Sequence, residues 1–252
     1  MEVTDQLNRT IFLPKPPKRI ISLVPSQTEL LVDLGLEDRI VGVSKFCVHP
    51  KDLKRRKTIV GGTKNYRFDV IDSLSPDLII GNKEENDQQG IEILASKYPV
   101  WLSDVSSLED NYRMIRQLGE LTQTDASAEA IIQEIERAFF QEVPKRGTCV
   151  YLIWNDPIMV AGKNTFIDAM LGRSGFENLI LKSRYPSLLM DELVRLSPDF
   201  LLLSSEPFPF SREHLIFFQS LLPQTVIKLV DGEMFSWYGS RLKYAAEYFR
   251  TM

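Results

Sequence analysis

The chain has 252 residues, 44% of them hydrophobic and 25% charged, which is enough apolar material for a well-buried core in one or two domains. A formal net charge of -4 counts against a general nucleic-acid binder, which needs a basic face. No apolar run approaches the roughly 18 residues of a transmembrane helix. The opening MEVTDQLNRTIFLPKPPKR lacks the apolar stretch of a secretory signal, so the expectation is either a cytoplasmic protein or a leader missing from this chain.

In chain order, TDQLNRTIFLP alternates as a short hairpin would, and Pro14, Pro16 and Pro17 then break the pattern. The apolar run 19–24 (RIISLV), closed by Pro25, predicts a buried parallel strand. A helix follows over 28–36, with Ser26 or Gln27 near its start and Gly35 near its end. Strands at 40–43, 78–80 and 100–102 alternate with helices at 70–74, 91–97 and 108–121. Such alternation predicts a parallel sheet with helices on its faces. The strongest helical pattern is 126–142, with Ile131, Ile132, Ile135, Ala138 and Phe139 at helical spacing, no internal Gly or Pro, and Pro144 to end it. It reads as a rigid connector. The alternation then restarts: strands at 148–154, 200–203 and 226–229, helices at 166–171 and 190–196, and a last helix from about Arg241.

Residues 69–82, DVIDSLSPDLIIGN, and 191–204, DELVRLSPDFLLLS, share one plan. Each runs from an acidic start through a short helix into Leu-Ser-Pro-Asp and a buried strand. Pro76 and Pro198 stop the helices. Two copies, each after a similar βα unit, predict two related lobes. The expected organisation is an N-terminal lobe over 1–124, a connecting helix over 125–144 and a C-terminal lobe over 145–252.

No GxSxG elbow, Gly-rich phosphate loop or HExxH motif occurs, so no catalytic residue and no metal site are assigned. The chain has two histidines; His214, in the polar stretch SREHLIFF, reads as a surface residue. Cys47 and Cys149 form no CxxC and read as free thiols, with one long-range bridge as the alternative. The basic run KDLKRRK at 51–57 is either a solvated face or an anion site. In an open parallel sheet, ligands bind beyond the carboxyl ends of the strands. Ser26 and Gln27, His49, Trp154, and the late segment holding Phe235, Trp237 and Tyr238 fall there. Trp and Tyr offer a flat apolar face with a polar edge, which suits a planar or macrocyclic ligand. Core packing is the alternative, above all for Phe235. Arg241 faces an anionic ligand group or caps the last helix.

RIISLVPSQTELLVDLGLEDRIVGVS followed by His-Pro, then SPDLIIGN, the connecting helix and GKNTFIDAMLGRSGFENLI, resembles the cobalamin- and siderophore-binding class of ABC-transporter substrate-binding proteins. PSQTELL and FSWYGSR bring it nearest the vitamin B12-binding branch. The resemblance covers nearly the whole chain. It implies two Rossmann-like lobes with parallel sheets, joined by one long helix, and a corrinoid or other metal chelate held between the lobes by Ser26, Gln27, His49, Trp154, Phe235, Trp237 and Tyr238. Where the cobalamin binder places further tryptophans, this chain has Thr63, Asn82 and Ser187. The family is normally exported, carries no intrinsic cofactor and delivers its ligand to a membrane permease. Asp69 and Asp191, equivalent in the internal repeat, correspond to the acidic residues that meet permease arginines; they also suit the positive ends of their own helices. A monomer that does not span the membrane is expected. The rival reading is a cytoplasmic enzyme or chaperone handling a metal or tetrapyrrole, with Cys47 and His49 as its ligand pair.

Overall fold

A computed structural model describes residues 2–252. The opening hairpin forms as predicted, with β1 (Glu2–Thr4) and β2 (Thr10–Phe12) antiparallel. Asp5 holds its turn, accepting backbone N–H groups of Leu7 and Arg9, each at 2.9 Å.

The chain divides into two compact units. The first holds Met1–Val105, Glu109–Ile135 and Tyr238–Arg241; the second holds Ser106–Leu108, Glu136–Trp237 and Leu242–Met252. It therefore passes from one unit to the other more often than a plain lobe–helix–lobe order provides for.

In the first unit, β3 (Ile20–Ser22), β4 (Ile40–Val43), β5 (Thr58–Ile59), β6 (Leu78–Asn82) and β7 (Val100–Ser103) form an all-parallel sheet in the order β5-β4-β3-β6-β7. These strands are short and nearly continuous in apolar character because helices cover both faces. Ile21, Ile79, Val100 and Leu102 pack with Ile71, Ile91 and Leu94 on one face. Helix α1 (Pro25–Asp33) starts earlier than the sequence suggests, because Pro25 occupies its first turn, where no N–H is needed. Gly35, at φ +80°, turns the chain after it. The other helices here are α2 (Leu53–Arg56), α3 (Phe68–Leu74), α4 (Gln88–Ala95) and most of α5 (Leu108–Thr122). Helix α6 (Asp125–Phe139) ends five residues before Pro144. The expected extent to Glu142 is thus too long; an apolar period alone does not mark where a helix frays.

In the second unit, β8 (Gly147–Trp154), β10 (Phe176–Asn178), β11 (Phe200–Ser204) and β12 (Val226–Val230) are parallel in the order β10-β8-β11-β12, with β9 (Met159–Val160) antiparallel to β8. Helices α7 (Phe166–Arg173), α8 (Met190–Leu196), α9 (Arg212–Leu221), α10 (Gly232–Ser236) and α11 (Leu242–Thr251) complete it. Sequence reasoning passed over α9. Its His214 is half-buried rather than a surface residue: the ring bonds to Ser211 Oγ at 2.9 Å and lies edge-on to Phe208 and Phe210.

The internal repeat is structural. The order β4-β3-β6-β7 matches β10-β8-β11-β12: second, first, third, fourth. Ser75 and Ser197 both adopt left-handed geometry, at φ 45° and 44°, as α3 and α8 end. The aspartate of each Leu-Ser-Pro-Asp then pins the entry of the neighbouring strand. Asp77 accepts the N–H groups of Lys18 and Arg19, both at 2.8 Å. Asp199 accepts the N–H and the hydroxyl of Thr148, both at 2.8 Å, and these bonds hold its carboxyl below the usual range.

Both thiols are free and fully buried, so the long-range bridge is not formed. Burial pushes the Cys149 thiol up to about 12 and raises that of Cys47. Neither is expected to react with iodoacetamide in the native protein at pH 8, while both react in denaturant; rapid native alkylation at either, read by mass spectrometry, contradicts this burial. Phe235 is fully buried, with ring centroids 5.1 Å from Tyr151 and 4.8 Å from Phe249. Phe235→Ala is expected to cost about 3–5 kcal/mol in chemical unfolding. Phe140→Ala, at a site 89% exposed, should stay within about 0.5 kcal/mol.

Candidate functional site

In each unit the strand order reverses beside the first strand, at β3/β6 and at β8/β11. In open parallel sheets such a reversal is where loops leaving the carboxyl ends diverge and ligands bind. Three strand-exit loops contain a cis X-Pro bond: His49–Pro50 after β4, and, at the reversal of the second unit, Asp156–Pro157 after β8 and Glu206–Pro207 after β11.

At the carboxyl edge of the first unit, buried amides form a polar floor. Gln27, with no exposed surface, donates through Nε2 to Ser103 Oγ and to the Gly81 carbonyl. Asn82 Nδ2 donates to the same Ser103 hydroxyl at 2.9 Å, and Asn82 Oδ1 accepts the N–H groups of Glu84 and Glu85. Asn86 takes the Asn82 N–H at 2.7 Å and donates to the Thr63 carbonyl at 2.8 Å. A tryptophan at Asn82 would break this network, so its polar identity follows from the packing. Ser26 is buried beside Gln27. Tyr238, 4% exposed, donates its hydroxyl to Glu85 Oε1 at 3.0 Å, and burial lifts its pKa far above the ordinary tyrosine value. Next to it, Gly239 at φ +96° donates its N–H to Asn111 Oδ1. Arg241, 8% exposed, makes a bidentate pair with Glu29 through Nε and Nη2, both bonds 2.7 Å, which commits its guanidinium to a carboxylate of the same unit.

What this edge presents to solvent is the loop after β4. Phe46 is 49% exposed and Val48 38%, with the Lys45 ammonium 4.9 Å from the Phe46 ring centroid. His49 is half-buried in the same loop. Cys47 is fully buried, its sulfur 3.1 Å from Thr28 Oγ1 and 3.6 Å from Ser44 Oγ. Among the described residues no group of three His, Cys, Asp or Glu side chains is placed to hold a metal ion.

The second unit's edge is aromatic. Trp154, the last residue of β8, is 40% exposed; its indole N–H bonds to the Asp156 carbonyl, and its ring meets Phe208 edge-on at 5.5 Å. Phe235 has no exposed surface and packs against Tyr151 and Phe249, in line with the core-packing alternative for it. Trp237 is 8% exposed and spends its indole N–H on Glu206 Oε1 at 2.9 Å. Ser236 Oγ donates to that same oxygen at 2.7 Å. Burial raises the Glu206 pKa above its ordinary value. Glu206 went unmarked in the sequence, because a single acid in the proline-rich stretch SEPFPF carries no signature of its own.

The sequence-derived contact set thus separates. His49 and Trp154 keep exposed surface, while Ser26, Gln27, Phe235, Trp237 and Tyr238 are buried, each within its own unit. Asp69 and Asp191 occupy the same place in α3 and α8, the second helical position. Both are exposed and make no hydrogen bond or ion pair with the described residues.

Comparisons with known proteins agree with this architecture. Over 241 residues, 92% of this chain and 86% of that protein, it is 26% identical to the vitamin B12-binding protein of Pectobacterium carotovorum. Over 78% of the chain and 67% of that protein, it is 26% identical to the uncharacterized ABC transporter substrate-binding lipoprotein YvrC of Bacillus subtilis. The structure is similar to that of the periplasmic vitamin B12 binding protein BtuF of Vibrio cholerae, with a TM-score of 0.75 at 21% identity, covering 94% of this chain and 97% of that one. It is also similar to a possible iron-binding periplasmic solute-binding protein of Staphylococcus epidermidis, with a TM-score of 0.79 at 24% identity, covering 94% and 98%. The periplasmic binding protein profile matches residues 20–224, and the chain belongs to that family.

Proposed function

We propose that this protein captures a corrinoid or another metal chelate at the carboxyl edges of its sheets and delivers it to an ABC permease. The observation that carries the reading is Trp154: a tryptophan at the end of a central strand, 40% exposed and backed edge-on by Phe208. A large apolar ring fixed on one edge by Phe208 and left partly open to solvent at a strand end suits the flat face of a macrocycle. Within the first unit, the loop after β4 offers its own exposed apolar side chains, Phe46 and Val48, with Lys45 and His49 as its polar elements. Binding, without a chemical step, is the activity these side chains support, in keeping with the family. The names of relatives that bind vitamin B12 favour a corrinoid. We place the protein outside the cytoplasmic membrane, as the family is; no described helix is long and apolar enough to cross one.

The permease contact falls to Asp69 and Asp191. Each sits at the same position of a repeated helix, exposed and without a partner. Two equivalent carboxylates suit a partner that presents two basic sites.

Titration of the purified protein with cobalamin, cobinamide, haem and ferric siderophores, followed by Trp fluorescence, is expected to give a dissociation constant below about 0.1 mM for at least one, or roughly -5.5 kcal/mol. Weaker binding of all four rejects the reading. Trp154→Ala should weaken binding about tenfold or more without lowering the unfolding midpoint, since the ring is half open to water. The Asp69→Ala, Asp191→Ala double variant should keep its ligand affinity and lose uptake in the native host. Full uptake leaves these aspartates only their helix-end role, worth about 0.3–1 kcal/mol.

A further inference from the structure

Glu206 is unusual among the acidic residues of the second unit. It follows β11, at the strand pair where the order reverses, and lies two residues before Phe208, which backs Trp154. Both of its side-chain hydrogen bonds, from Ser236 Oγ at 2.7 Å and Trp237 Nε1 at 2.9 Å, end on Oε1. Both donors are neutral, and no Lys, Arg or His pairs with it among the described residues. Its acidic neighbours Asp231 and Glu233 make the position more negative still. A carboxylate has room for about four hydrogen bonds and accepts only. Holding one largely out of water with no cation is costly, and is a common mark of a functional group.

The surroundings fix this carboxylate rather than merely tolerate it. The Ser204 hydroxyl donates to the Glu206 carbonyl at 2.6 Å and is itself bonded by the Tyr151 hydroxyl at 3.0 Å. A Cβ added at Gly232 would stand 2.5 Å from Glu206 Cγ and 2.5 Å from Ser204 Oγ, so glycine there leaves the space that the side chain fills. Trp237 and Ser236 then clamp one oxygen. A group whose backbone, stem and one oxygen are all held is preorganised, and the remaining oxygen, Oε2, takes what solvent or a ligand offers.

Resting on the reading that this edge binds a metal chelate, we propose that Glu206 determines ligand specificity. Its Oε2 accepts a hydrogen bond from an N–H group on the ligand periphery, and its charge rejects ligands whose periphery bears carboxylates. The ligand class it selects is a macrocycle fringed with carboxamides. Carboxamide N–H groups complete the acceptor, whereas a peripheral carboxylate would meet Glu206, Asp231 and Glu233 as like charges.

Two probes separate the alternatives on one macrocycle: cobinamide, with peripheral amides, and cobyrinic acid, in which carboxylates replace them. The full chain is expected to bind cobinamide at least tenfold more tightly than cobyrinic acid. Glu206→Gln, which retains an acceptor oxygen for Ser236 and Trp237, should still bind cobinamide but reduce that ratio at least tenfold. Equal binding of the two probes by the unaltered protein overturns the role of Glu206 and leaves corrinoid capture standing, a result that needs no variant to fold. An unchanged ratio in the variant overturns it too. Failure of the unaltered protein to bind either probe removes the corrinoid reading and this assignment together.

Discussion

The structure depends on one repeated electrostatic constraint, the carboxylate that follows each helix-stopping proline. Asp77 and Asp199 each follow a short helix and grip the entry of the first strand of their sheet. By holding Lys18 and Arg19 ahead of β3, and Thr148 in β8, they fix the register of β3 on β6 and of β8 on β11. Those are the strand pairs at which the order reverses. A slip of one residue would send every side chain to the other face, so a bond at the strand entrance governs what emerges at its far end.

What emerges differs between the units, although the scaffold repeats. The first unit ends its central strands in amides and small hydroxyls, which bond one another in a buried net of Gln27, Asn82, Asn86 and Ser103 that leaves Gln27 Oε1 without a partner. The second ends them in aromatic surface around Trp154 and Phe208, with Glu206 at its margin. The polar net is rigid because each member bonds another. The aromatic surface remains partly exposed and can exchange water for a ligand. In the proposed reading, function rests on side chains grafted at strand ends, not on the repeated frame itself.

Much of the frame was legible in the residues. Apolar runs such as IISLV and LIIG are short, bounded by proline or polar residues, and alternate with helical periods, which is the pattern of a parallel sheet covered on both faces. The repeated Leu-Ser-Pro-Asp disclosed the two-fold relation of the units. Less legible were β5, β9 and β10, of two or three residues each, where too few positions exist for a period to show. Helix α9 was missed because Ile216 and Phe217 stay exposed, so its apolar positions do not form one face. For the site, strand ends located the candidates, but not which way each side chain turns. Trp154 and Trp237 look alike in sequence; one faces water, while the other holds a carboxylate. That distinction is tertiary, set by the partner across the fold.

The claim that ligand is taken up at the carboxyl edges is tested most directly by hydrogen–deuterium exchange with and without a saturating corrinoid. The account predicts added protection in the loops at 44–49, 154–158 and 204–208, with no change where the strands begin, at 75–77, 144–147 and 197–199. Protection confined to the strand entrances, with the carboxyl-edge loops exchanging as before, would contradict it.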